Sequence, residues 1–386
     1  MKKILFINSV CGFGSTGRIV RDLSSLKDYE TLVCYGRKKD YANINSFKVT
    51  NLFENGLYFL NEFLFNNSLG GPKLPTKRLI NKIKEFNPDI IHLHNLHGYY
   101  LNFEMLFKFL KEYNKPVIWT LHDCWSYTGY CCYYDYIKCN SFINGCKNCP
   151  HSFSYPFSLF KQKTHINYLK KKELIDGINN LTIVTPSNWL KEEAKKGFLK
   201  KKNIVVINNG IELNDDKLTC KKNNEFSVCF VANIWTREKG LEEINKIVEL
   251  LDKDIKVNVI GTIVKKNVLS SRCRQLGRFD NYKELLEEIG NNHLFLNPTL
   301  QDNFPTVNIE ALSVGTPVIT YNTGGSPEVI NQDNGVVVSD YKEMAEAVNK
   351  LKNNYVFDLD KIKEGSGIYS KKNMLDKYGE LYCNLK

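Results

Sequence analysis

Short runs of apolar residues alternate with longer amphipathic segments along the whole chain. The apolar runs have the length of buried strands, and the segments between them repeat apolar positions with the spacing of a helix. The strands predicted most clearly lie at residues 3–8, 89–94, 116–121, 203–207, 226–232, 256–260 and 318–320. This alternation predicts an α/β chain with a doubly wound parallel sheet in each half.

One stretch, residues 299–330, carries the densest set of structural signals. Pro305 suits the first turn of a helix, where its missing N–H group is not needed. Four apolar positions then fall on one helical face, namely Val307, Ala311, Leu312 and Val314. Gly315 and Pro317 end the helix, and a short strand and a glycine-rich turn follow.

Two carboxylates flank this predicted helix start. Asp302 lies in the loop just before the helix, and Glu310 lies about one turn inside it. A helix N-terminus offers unpaired N–H groups and about half a positive charge, so it can hold a phosphate. Because carboxylates accept hydrogen bonds from sugar hydroxyls, the pattern suits a nucleotide sugar. An ordinary α/β helix with solvated acidic residues is the alternative.

A glycine loop with the sequence CGFGSTGRI follows the first predicted strand, and a helix is predicted from about residue 18 to residue 26. A strand, a glycine loop and a helix let the backbone approach a phosphate, with Gly14 and Gly17 as candidate contacts. Tight turns of α/β proteins also need glycine, so both interpretations stay open.

Histidines gather near the ends of two predicted strands in the N-terminal half. His122 and Asp123 follow the strand at 116–121, either as a site contact or as a cap of the loop. His92, His94 and His97 have no carboxylate near them in sequence, so hydrogen bonding explains them better than a metal ion does.

Six of the 12 cysteines fall between residues 124 and 149. Cys132, Cys139, Cys146 and Cys149 have the spacing C-x6-C-x6-C-x2-C, which suits a closed tetrahedral zinc site. Cys124 and Cys131 are alternative ligands or bystanders, and an iron–sulfur cluster or unligated thiols are the other interpretations. The insert at 124–150 is predicted to have little core of its own, so a structural zinc ion would supply its order.

An unusually aromatic helix is predicted at residues 52–65, and five cations follow between residues 73 and 84. Apolar bulk beside cations is typical of a helix that lies in a membrane interface. A helix that faces the protein core, with a basic neighbour, is the alternative.

The chain has 386 residues, enough for two domains with separate cores, and a formal net charge of +11. This charge favours phosphorylated ligands or anionic lipid headgroups, although a solvated lysine-rich surface explains it equally well. No signal peptide and no spanning helix are predicted, so a cytoplasmic protein without structural disulfides is expected. An NAD enzyme is not an expected function.

The stretch at 299–330 resembles the donor-site signature of the family 4 glycosyltransferases, E-x7-E followed by A-x-x-x-G-x-P-V-I and G-G-x-P-E. Asp302 stands where the first glutamate is usual, and Glu310 keeps the second. The other matching positions are Ala311, Gly315, Thr316, Pro317, Gly324, Gly325, Pro327 and Glu328. Three further segments resemble the family: the STGR loop, the HD of TLHD, and Lys239-Gly240.

The resemblance implies the GT-B fold, in which two Rossmann-like doubly wound parallel-sheet domains face a central cleft. Residues 1–207 would form the acceptor-binding domain, which contains the insert at 124–150. Residues 208–370 would form the domain that binds the nucleotide sugar, and residues 371–386 a helix that crosses back to the first domain.

The resemblance also implies roles for single residues. The catalytic set would be His122, Lys239, Asp302 and Glu310. The donor-binding set would be Gly14, Gly17, Arg237, Lys239, Gln301, Asp302, Phe304, Thr306, Val307 and Glu310. Lys239 would bind the donor diphosphate, and Arg237 would replace an arginine that the family often has at the position of Asn233.

The implied activity is transfer of a sugar from a nucleotide diphosphate sugar to a hydroxyl of a saccharide, with retention of the anomeric configuration and no metal in the chemistry. The acceptor is expected to be lipid-linked and to belong to bacterial surface polysaccharide synthesis. The enzyme would then work in the cytoplasm or against the anionic inner face of the membrane, and nucleic acid is not an expected partner. An epimerase or hydrolase of nucleotide sugars and an inactive binding protein are the alternatives.

Overall fold

The computed structural model of the protein describes residues 1–40, 43–66, 69–150, 158–159, 163–213, 218, 220–264 and 268–385. The chain divides into two compact units. The first unit contains Met1–Asn208 together with Met374–Lys386, and the second contains Asn209–Asn373. Each unit is built on a parallel sheet, as the alternating pattern predicts.

Across the described residues, the sheet of the first unit has seven strands in the order β3-β2-β1-β4-β5-β6-β7. The strands are β1 (Lys2–Asn8), β2 (Tyr29–Tyr35), β3 (Ser46–Lys48), β4 (Ile90–Leu93), β5 (Val117–Thr120), β6 (Leu181–Thr185) and β7 (Asn203–Val206). Leu5 and Ile7 pack in one hydrophobic cluster, whereas Ile4 and Phe6 pack in another. Both faces of the sheet are therefore covered, which explains the continuous apolar run of β1.

Helices cover this sheet. They are α1 (Gly14–Ser24), α2 (Leu52–Phe65), α3 (Lys73–Phe86), α4 (Phe103–Tyr113), α5 (Thr164–Asp176) and α6 (Asn188–Lys196). Ser187 caps α6, because its hydroxyl accepts the N–H of Leu190 at 3.1 Å. Helix α1 begins at Gly14 rather than near residue 18, since the glycine loop is short and its last residues form the first helical turn.

In the described part of the second unit, six parallel strands have the order β10-β9-β8-β11-β12-β13. The strands are β8 (Ser227–Ile234), β9 (Lys256–Thr262), β10 (Cys273–Gly277), β11 (Leu294–Asn297), β12 (Val318–Tyr321) and β13 (Gly335–Val338). The helices are α7 (Leu241–Leu250), α8 (Tyr282–Asn291), α9 (Thr306–Ser313), α10 (Tyr341–Asn353) and α11 (Leu359–Ser366).

The last helix, α12 (Lys371–Asn384), packs in the first unit from Met374 onward. Tyr378 and Tyr382 are buried there, in the same hydrophobic cluster as β1. The hydroxyl of Tyr378 lies 2.9 Å from Oγ1 of Thr120, at the end of β5. These buried aromatic side chains hold the C-terminal segment against the sheet.

The insert at 124–150 is not the coreless loop that its composition predicts. Trp125, Tyr127, Tyr130, Tyr134 and Phe142 are all buried and belong to the main hydrophobic cluster of the first unit. The prediction was wrong because tyrosine was counted as a loop residue, whereas its ring supplies core when the hydroxyl finds a partner.

Helix α2 exposes its apolar residues and buries an acidic one, which is the reverse of an ordinary surface helix. The one buried residue among its 14 is Glu62. Its exposed apolar side chains are Leu52, Phe53, Leu57, Phe59, Leu60, Leu64 and Phe65. The alternative of a core-facing helix is therefore wrong, since apolar residues occur all round the helix and could not indicate the buried face. Among the described residues, no helix is both long enough and apolar enough to cross a bilayer.

Candidate active site

Two loops that follow β8 and β11 run side by side in the second unit. The N–H of Leu300 donates to the carbonyl of Glu238 at 2.8 Å. Lys239 and Asp302 extend from these loops and form an ion pair, with 2.6 Å between Nζ and Oδ2. Their side chains are 42% and 19% exposed, so a ligand can reach the ammonium group. The fold thus brings together two residues that sequence analysis assigned to one site.

Glycine allows these backbones to approach closely. Gly240 has a φ of +86°, and a Cβ atom there would lie 2.3 Å from the carbonyl oxygen of Pro298. Gly324 has a φ of +56°, and a Cβ atom there would lie 1.7 Å from the carbonyl oxygen of Asp302. The N–H of Gly325 donates to that same oxygen at 3.1 Å. Three loops, before α7, before α9 and after β12, are therefore packed as one cluster.

The Asp302 carboxylate has two partners. Oδ2 contacts Lys239, and Oδ1 accepts the backbone N–H of Phe304 at 3.2 Å. Phe304 is buried, and its ring centre lies 6.0 Å from that of Tyr369. The backbone that leads into α9 therefore sets the direction of this carboxylate.

Helix α9 begins shortly after Phe304. Pro305 is its N-cap residue rather than part of the first turn, and the side chain of Pro305 makes no capping hydrogen bond. The first N–H groups, at the half-buried Thr306 and Val307, can therefore donate to a ligand. Glu310 lies one turn further along and is only 9% exposed. The rest of the predicted apolar face is buried: Ala311, Leu312 and Val314.

Sequence analysis missed Asn297 and Asn308, two buried residues that hold α9 in place. Asn297 Nδ2 donates to Asn308 Oδ1 at 2.7 Å, and Asn308 Nδ2 donates to the carbonyl of Ser326 at 3.3 Å. This bridge joins the end of β11 to α9 and to the turn after β12. The available signal was an amide among apolar helical positions, since a buried amide needs partners.

Two predicted donor contacts lie at the edge of this cluster. Arg237 is paired with Glu242, with 3.5 Å between Nε and Oε2, and both side chains are more than half exposed. Gln301 is half-buried, and its carbonyl accepts the hydroxyl of Thr299 at 3.1 Å. The structure thus places Arg237 in a surface ion pair.

In the first unit, the glycine loop between β1 and α1 is tightly closed. The N–H of Gly12 donates to the carbonyl of Gly17 at 3.1 Å. Gly12 and Gly14 have φ values of +70° and +67°, and a Cβ atom on Gly17 would lie 3.1 Å from the nitrogen of Gly12. The N-cap residue, Phe13, makes no side-chain hydrogen bond to the start of α1. The exposed start of this helix therefore has the geometry of an anion site.

A row of imidazoles crosses the ends of β4 and β5. His92 is held by Tyr382 at Nδ1 and by Thr120 at Nε2, both at 2.8 Å. His94 Nδ1 lies 2.9 Å from His122 Nε2. His92 therefore uses both ring nitrogens in hydrogen bonds to hydroxyl groups.

The neighbouring His97 has a carboxylate partner in the structure, although no carboxylate lies near it in the sequence. Its Nε2 lies 2.7 Å from Oδ2 of Asp123, and both residues are buried. This pair could not be predicted from local sequence, because the two residues follow different strands that pair in the sheet. Asp123 Oδ1 also accepts the N–H of Trp125 at 2.9 Å, so the aspartate both pairs the histidine and caps the loop.

Burial lowers the pKa of the three linked imidazoles. The pKa of His122 falls to about 4, mainly because burial disfavours its charged form. The pKa values of His92 and His94 lie well below the ordinary value for the same reason, and charge on the neighbouring histidines lowers them further. His122 is therefore neutral near pH 7.

We expect acid to destabilise the folded protein through these histidines. They stay neutral in the folded state but bind protons in the unfolded chain once the pH drops below the ordinary histidine pKa of 6.5. Each then lowers the free energy of unfolding by about 1.4 kcal/mol per pH unit, until the pH reaches its folded pKa. Urea unfolding between about pH 7 and pH 5 measures the slope. His122→Asn should make the slope shallower, and an unchanged slope would contradict this account.

Five of the six cysteines of the insert lie in two places. A small cavity, here called the cysteine cavity, is lined by Cys131, Cys139, Cys146 and Cys149. Cys132 lies elsewhere, with its sulfur within 4.8 Å of ligand atoms of His97 and Asp123. Of the four predicted zinc ligands, the structure therefore gathers three around the cavity and places Cys132 beside the histidine–aspartate pair.

Two protein-family models match the chain. The model described as Glycosyltransferase Family 4 matches residues 19–215, which is just over half of the chain. The model described as Glycosyl transferases group 1 matches residues 225–354, and this match contains Lys239, Asp302 and Glu310.

Curated relatives carry related names. A protein of Escherichia coli strain K12, named for colanic acid biosynthesis glycosyl transfer, is 25% identical over 351 residues, which cover 83% of this chain and 82% of that one. A capsular polysaccharide biosynthesis glycosyltransferase of Staphylococcus aureus is 26% identical over 223 residues, which cover 51% of this chain and 57% of that one.

Solved structures show the same fold. Sucrose-phosphate synthase from Thermosynechococcus elongatus has a TM-score of 0.69 at 14% identity, with 99% of this chain and 98% of that chain covered. Anabaena HepE in complex with UDP has a TM-score of 0.66 at 13% identity, with both chains fully covered. The fold is thus GT-B, as the resemblance implies, and with the family match over half of its length the chain belongs to the glycosyltransferases of family 4.

Proposed function

We propose that this glycosyltransferase moves a sugar, with retention of its anomeric configuration, from a nucleotide diphosphate sugar to a lipid-linked saccharide in bacterial surface polysaccharide synthesis. The observation that carries the proposal is the Lys239–Asp302 pair beside the uncapped start of α9. The pathway is suggested by relatives that are named for colanic acid and capsular polysaccharide synthesis. The donor class is suggested by Anabaena HepE, which was solved with UDP and with UDP-glucose.

In this proposal, residues 208–370 bind the donor. The ammonium group of Lys239 and the N–H groups of Thr306 and Val307 bind the diphosphate, where negative charge develops as the sugar leaves. A cation and a helix N-terminus add their fields at one place, which stabilises that charge more than either does alone. Arg237 adds charge after it leaves its surface partner.

The carboxylates of the site bind hydroxyl groups. Glu310, nearly buried one turn into α9, accepts hydrogen bonds from the ribose. Asp302 and its neighbour Gln301 accept hydrogen bonds from the transferred sugar. Asp302 can do so because the N–H of Phe304 keeps its carboxylate in position when Lys239 turns to the diphosphate.

The reaction exchanges one bond at the anomeric carbon for another. The acceptor hydroxyl oxygen attacks that carbon on the face from which the diphosphate departs, and the leaving diphosphate takes both the bonding electrons and the hydroxyl proton. Positive charge for the departure comes from Lys239 and the start of α9, so the proposal places no metal in the chemistry. Trapping of a covalent glycosyl-enzyme would refute this front-face route.

In the first unit, residues 1–207 are proposed to bind the acceptor. His122 is neutral near pH 7, so it can orient a sugar hydroxyl through a hydrogen bond without adding charge. The start of α1, with Gly14 and Gly17, is proposed as a second contact for phosphate. The C-terminal helix α12, which packs in the first unit from Met374 onward, is proposed to belong to this half.

The transfer proposal is tested with a panel of nucleotide sugars and membrane extracts that contain lipid-linked saccharides. We expect one donor family to label the lipid fraction, with the donor's anomeric configuration kept in the product. Sugar release to water at the same rate with and without acceptor would favour a hydrolase instead. An inverted product would refute the retaining mechanism.

We also propose that α2 docks the enzyme on the inner, anionic face of the membrane. Leu52 and Phe53 are 80% and 74% exposed at its start, and Phe65 is 59% exposed at its end. Cations follow on α3, including the exposed Lys73 and Lys77. An exposed apolar helix beside cations suits a surface with an apolar interior and anionic headgroups.

Removing two of these side chains should weaken membrane binding. Each large apolar side chain that enters the interface contributes about 1.5–3 kcal/mol, so Phe53→Ser with Leu60→Ser should reduce vesicle affinity at least about tenfold. Ile368→Ser is the matched control, because Ile368 is 62% exposed in the second unit. Sedimentation with phosphatidylglycerol vesicles measures the effect. Wild-type protein that stays in the supernatant, or equal loss in the control, would contradict the docking role.

A further inference from the structure

The structure assigns the cysteine cavity as a site for one zinc ion bound by four thiolates. This inference concerns a part of the first unit that the proposed transfer does not use. The cavity has room for about one water-sized sphere, roughly 10 Å³, which fits a single ion. Four sulfur ligands suit a closed tetrahedral zinc site.

The chemistry of the cavity wall favours a soft metal. Besides the four cysteines, the described lining residues are Thr128, Tyr134, Ser141, Phe142, Pro150 and Thr164. These neighbours offer neither a carboxylate nor an imidazole, so magnesium and calcium lack their preferred ligands there. Thiolates select zinc over such hard cations.

Cys131 and Cys132 are adjacent in sequence, but their side chains have different neighbours. Cys131 lines the cavity with the three later cysteines, whereas the sulfur of Cys132 lies near His97 and Asp123. The ligand pattern is therefore C-x7-C-x6-C-x2-C, which begins at Cys131 instead of Cys132. Sequence spacing could not distinguish the two, because either neighbour places a thiol within reach of the later pair.

The backbone around the last two cysteines is shaped as a metal-binding turn would be. Gly145 has a φ of +91°, and Cys146 and Asn148 have φ values of +54° and +53°. Left-handed conformations are unfavourable for residues with a Cβ atom and persist where surrounding structure imposes them. His165 on α5 donates from Nδ1 to the carbonyl of Gly145 at 2.6 Å, which helps to hold this turn.

A backbone N–H group already donates a hydrogen bond to one of the four sulfurs. The N–H of Gly129 donates to Sγ of Cys146 at 3.1 Å. A Cβ atom on Gly129 would lie 2.3 Å from the carbonyl oxygen of Thr164, so only glycine lets the loop approach this sulfur. Hydrogen bonds of this kind orient metal ligands and stabilise their charged form.

A buried lysine lies close to the negative charge that the zinc and its four thiolates would carry. Four thiolates and one Zn²⁺ carry a net charge of −2, and binding releases the four thiol protons to solvent. Lys171, buried on α5, donates from Nζ to the carbonyl of Thr128 at 3.0 Å. Its ammonium group therefore lies against the loop that carries Cys131.

The competing site is the group His97, Asp123 and Cys132. Among the described residues it is the one group of three potential ligands within 4.8 Å of one another, so the thiols of the cysteine cavity would have to draw together around the ion. In the competing group, however, the imidazole and the carboxylate already satisfy each other at 2.7 Å. The cysteine cavity offers four ligands and the competing group three, which favours the cavity for a closed structural site.

A zinc ion here would tie the loop that follows β5 to the turn at Cys146 and Cys149. That loop begins with His122 and Asp123, so the ion would steady the backbone behind His122 without touching substrate. Its role is structural.

The test is the zinc content of the untagged full-length protein, purified under reducing conditions with a panel of single variants. We expect about one zinc ion per chain in the wild type and in Cys132→Ser, and at least about tenfold less in Cys131→Ser and Cys149→Ser. A zinc-free wild type with its thiols reduced would overturn the proposal. Zinc lost from Cys132→Ser and kept in Cys131→Ser would move the site to the competing group.

Cobalt substitution covers the case in which Cys131→Ser does not fold. Wild-type protein grown in cobalt should show the visible bands of a tetrahedral ion and a thiolate-to-cobalt charge-transfer band with the intensity of four thiolates. A spectrum with the intensity of a single thiolate would overturn the assignment, because the competing group contains one cysteine.

Discussion

Replacing Lys239 with alanine should lower kcat/KM for sugar transfer by about 100- to 1000-fold, the cost of removing one preorganised group that stabilises developing charge. Its ammonium group lies 2.6 Å from Asp302 and beside the uncapped start of α9, where the leaving diphosphate is proposed to bind. The loss should appear in kcat as well as in KM, because negative charge on the diphosphate grows as the sugar leaves.

This substitution should have little effect on the stability of the folded protein. The Lys239–Asp302 pair is partly exposed, so breaking it should change the free energy of unfolding by less than about 1 kcal/mol. Lys246→Ala is the matched control, because Lys246 is 48% exposed and pairs with Glu243 at 2.7 Å on the adjoining helix. Steady-state kinetics that leave Lys239→Ala within tenfold of the control would remove Lys239 from the site.

The second large effect is expected at Gly324. A Cβ atom there would lie 1.7 Å from the carbonyl oxygen of Asp302, and its φ of +56° is itself unfavourable for alanine. Gly324→Ala should therefore push the two loops apart, lower the free energy of unfolding by about 1–3 kcal/mol and displace the Asp302 carboxylate. Displacement of about 1 Å costs roughly 100-fold in activity, even though Gly324 has no side chain to contribute.

Gly365→Ala separates this effect from the general effect of replacing glycine. Gly365 lies in α11 of the same unit, and a Cβ atom there meets nothing within 4 Å. Alanine is the better helix former by about 0.5–1 kcal/mol, so this variant should be slightly more stable and fully active. Urea unfolding and transfer assays on both variants measure the difference. Equal behaviour of the two would contradict the packed-loop account.

The predictable part of the molecule is the part set by local chemistry. Pro305 and Gly315 indicate the two ends of α9, and the helix in the structure lies between them, at Thr306–Ser313. Lys239 and Asp302 are far apart in sequence, yet a parallel sheet carries the carboxyl ends of its strands to one edge. Their meeting could therefore be expected from the motif and the topology together.

The unpredictable part depends on which face a segment turns inward. Helix α2 has apolar residues on all sides, and the structure buries Glu62 while leaving Phe53 exposed. The local sequence does not distinguish these faces, because the elements that pack against α2 decide which face is buried. Asn297 and Asn308 were missed for the same reason: each amide has meaning only when the other is known to lie 2.7 Å away.

The central claim is that Lys239, Glu310 and the start of α9 form the binding site for a nucleotide diphosphate. Calorimetric titration of the full-length protein with UDP, GDP, ADP and CMP tests it directly, with Lys239→Ala and Glu310→Ala beside the wild type. We predict that one diphosphate binds the wild type and stabilises it by about 2.7 kcal/mol at 100 times its Kd, and that both variants lose this binding. A diphosphate that binds the wild type and both variants equally would contradict the claim.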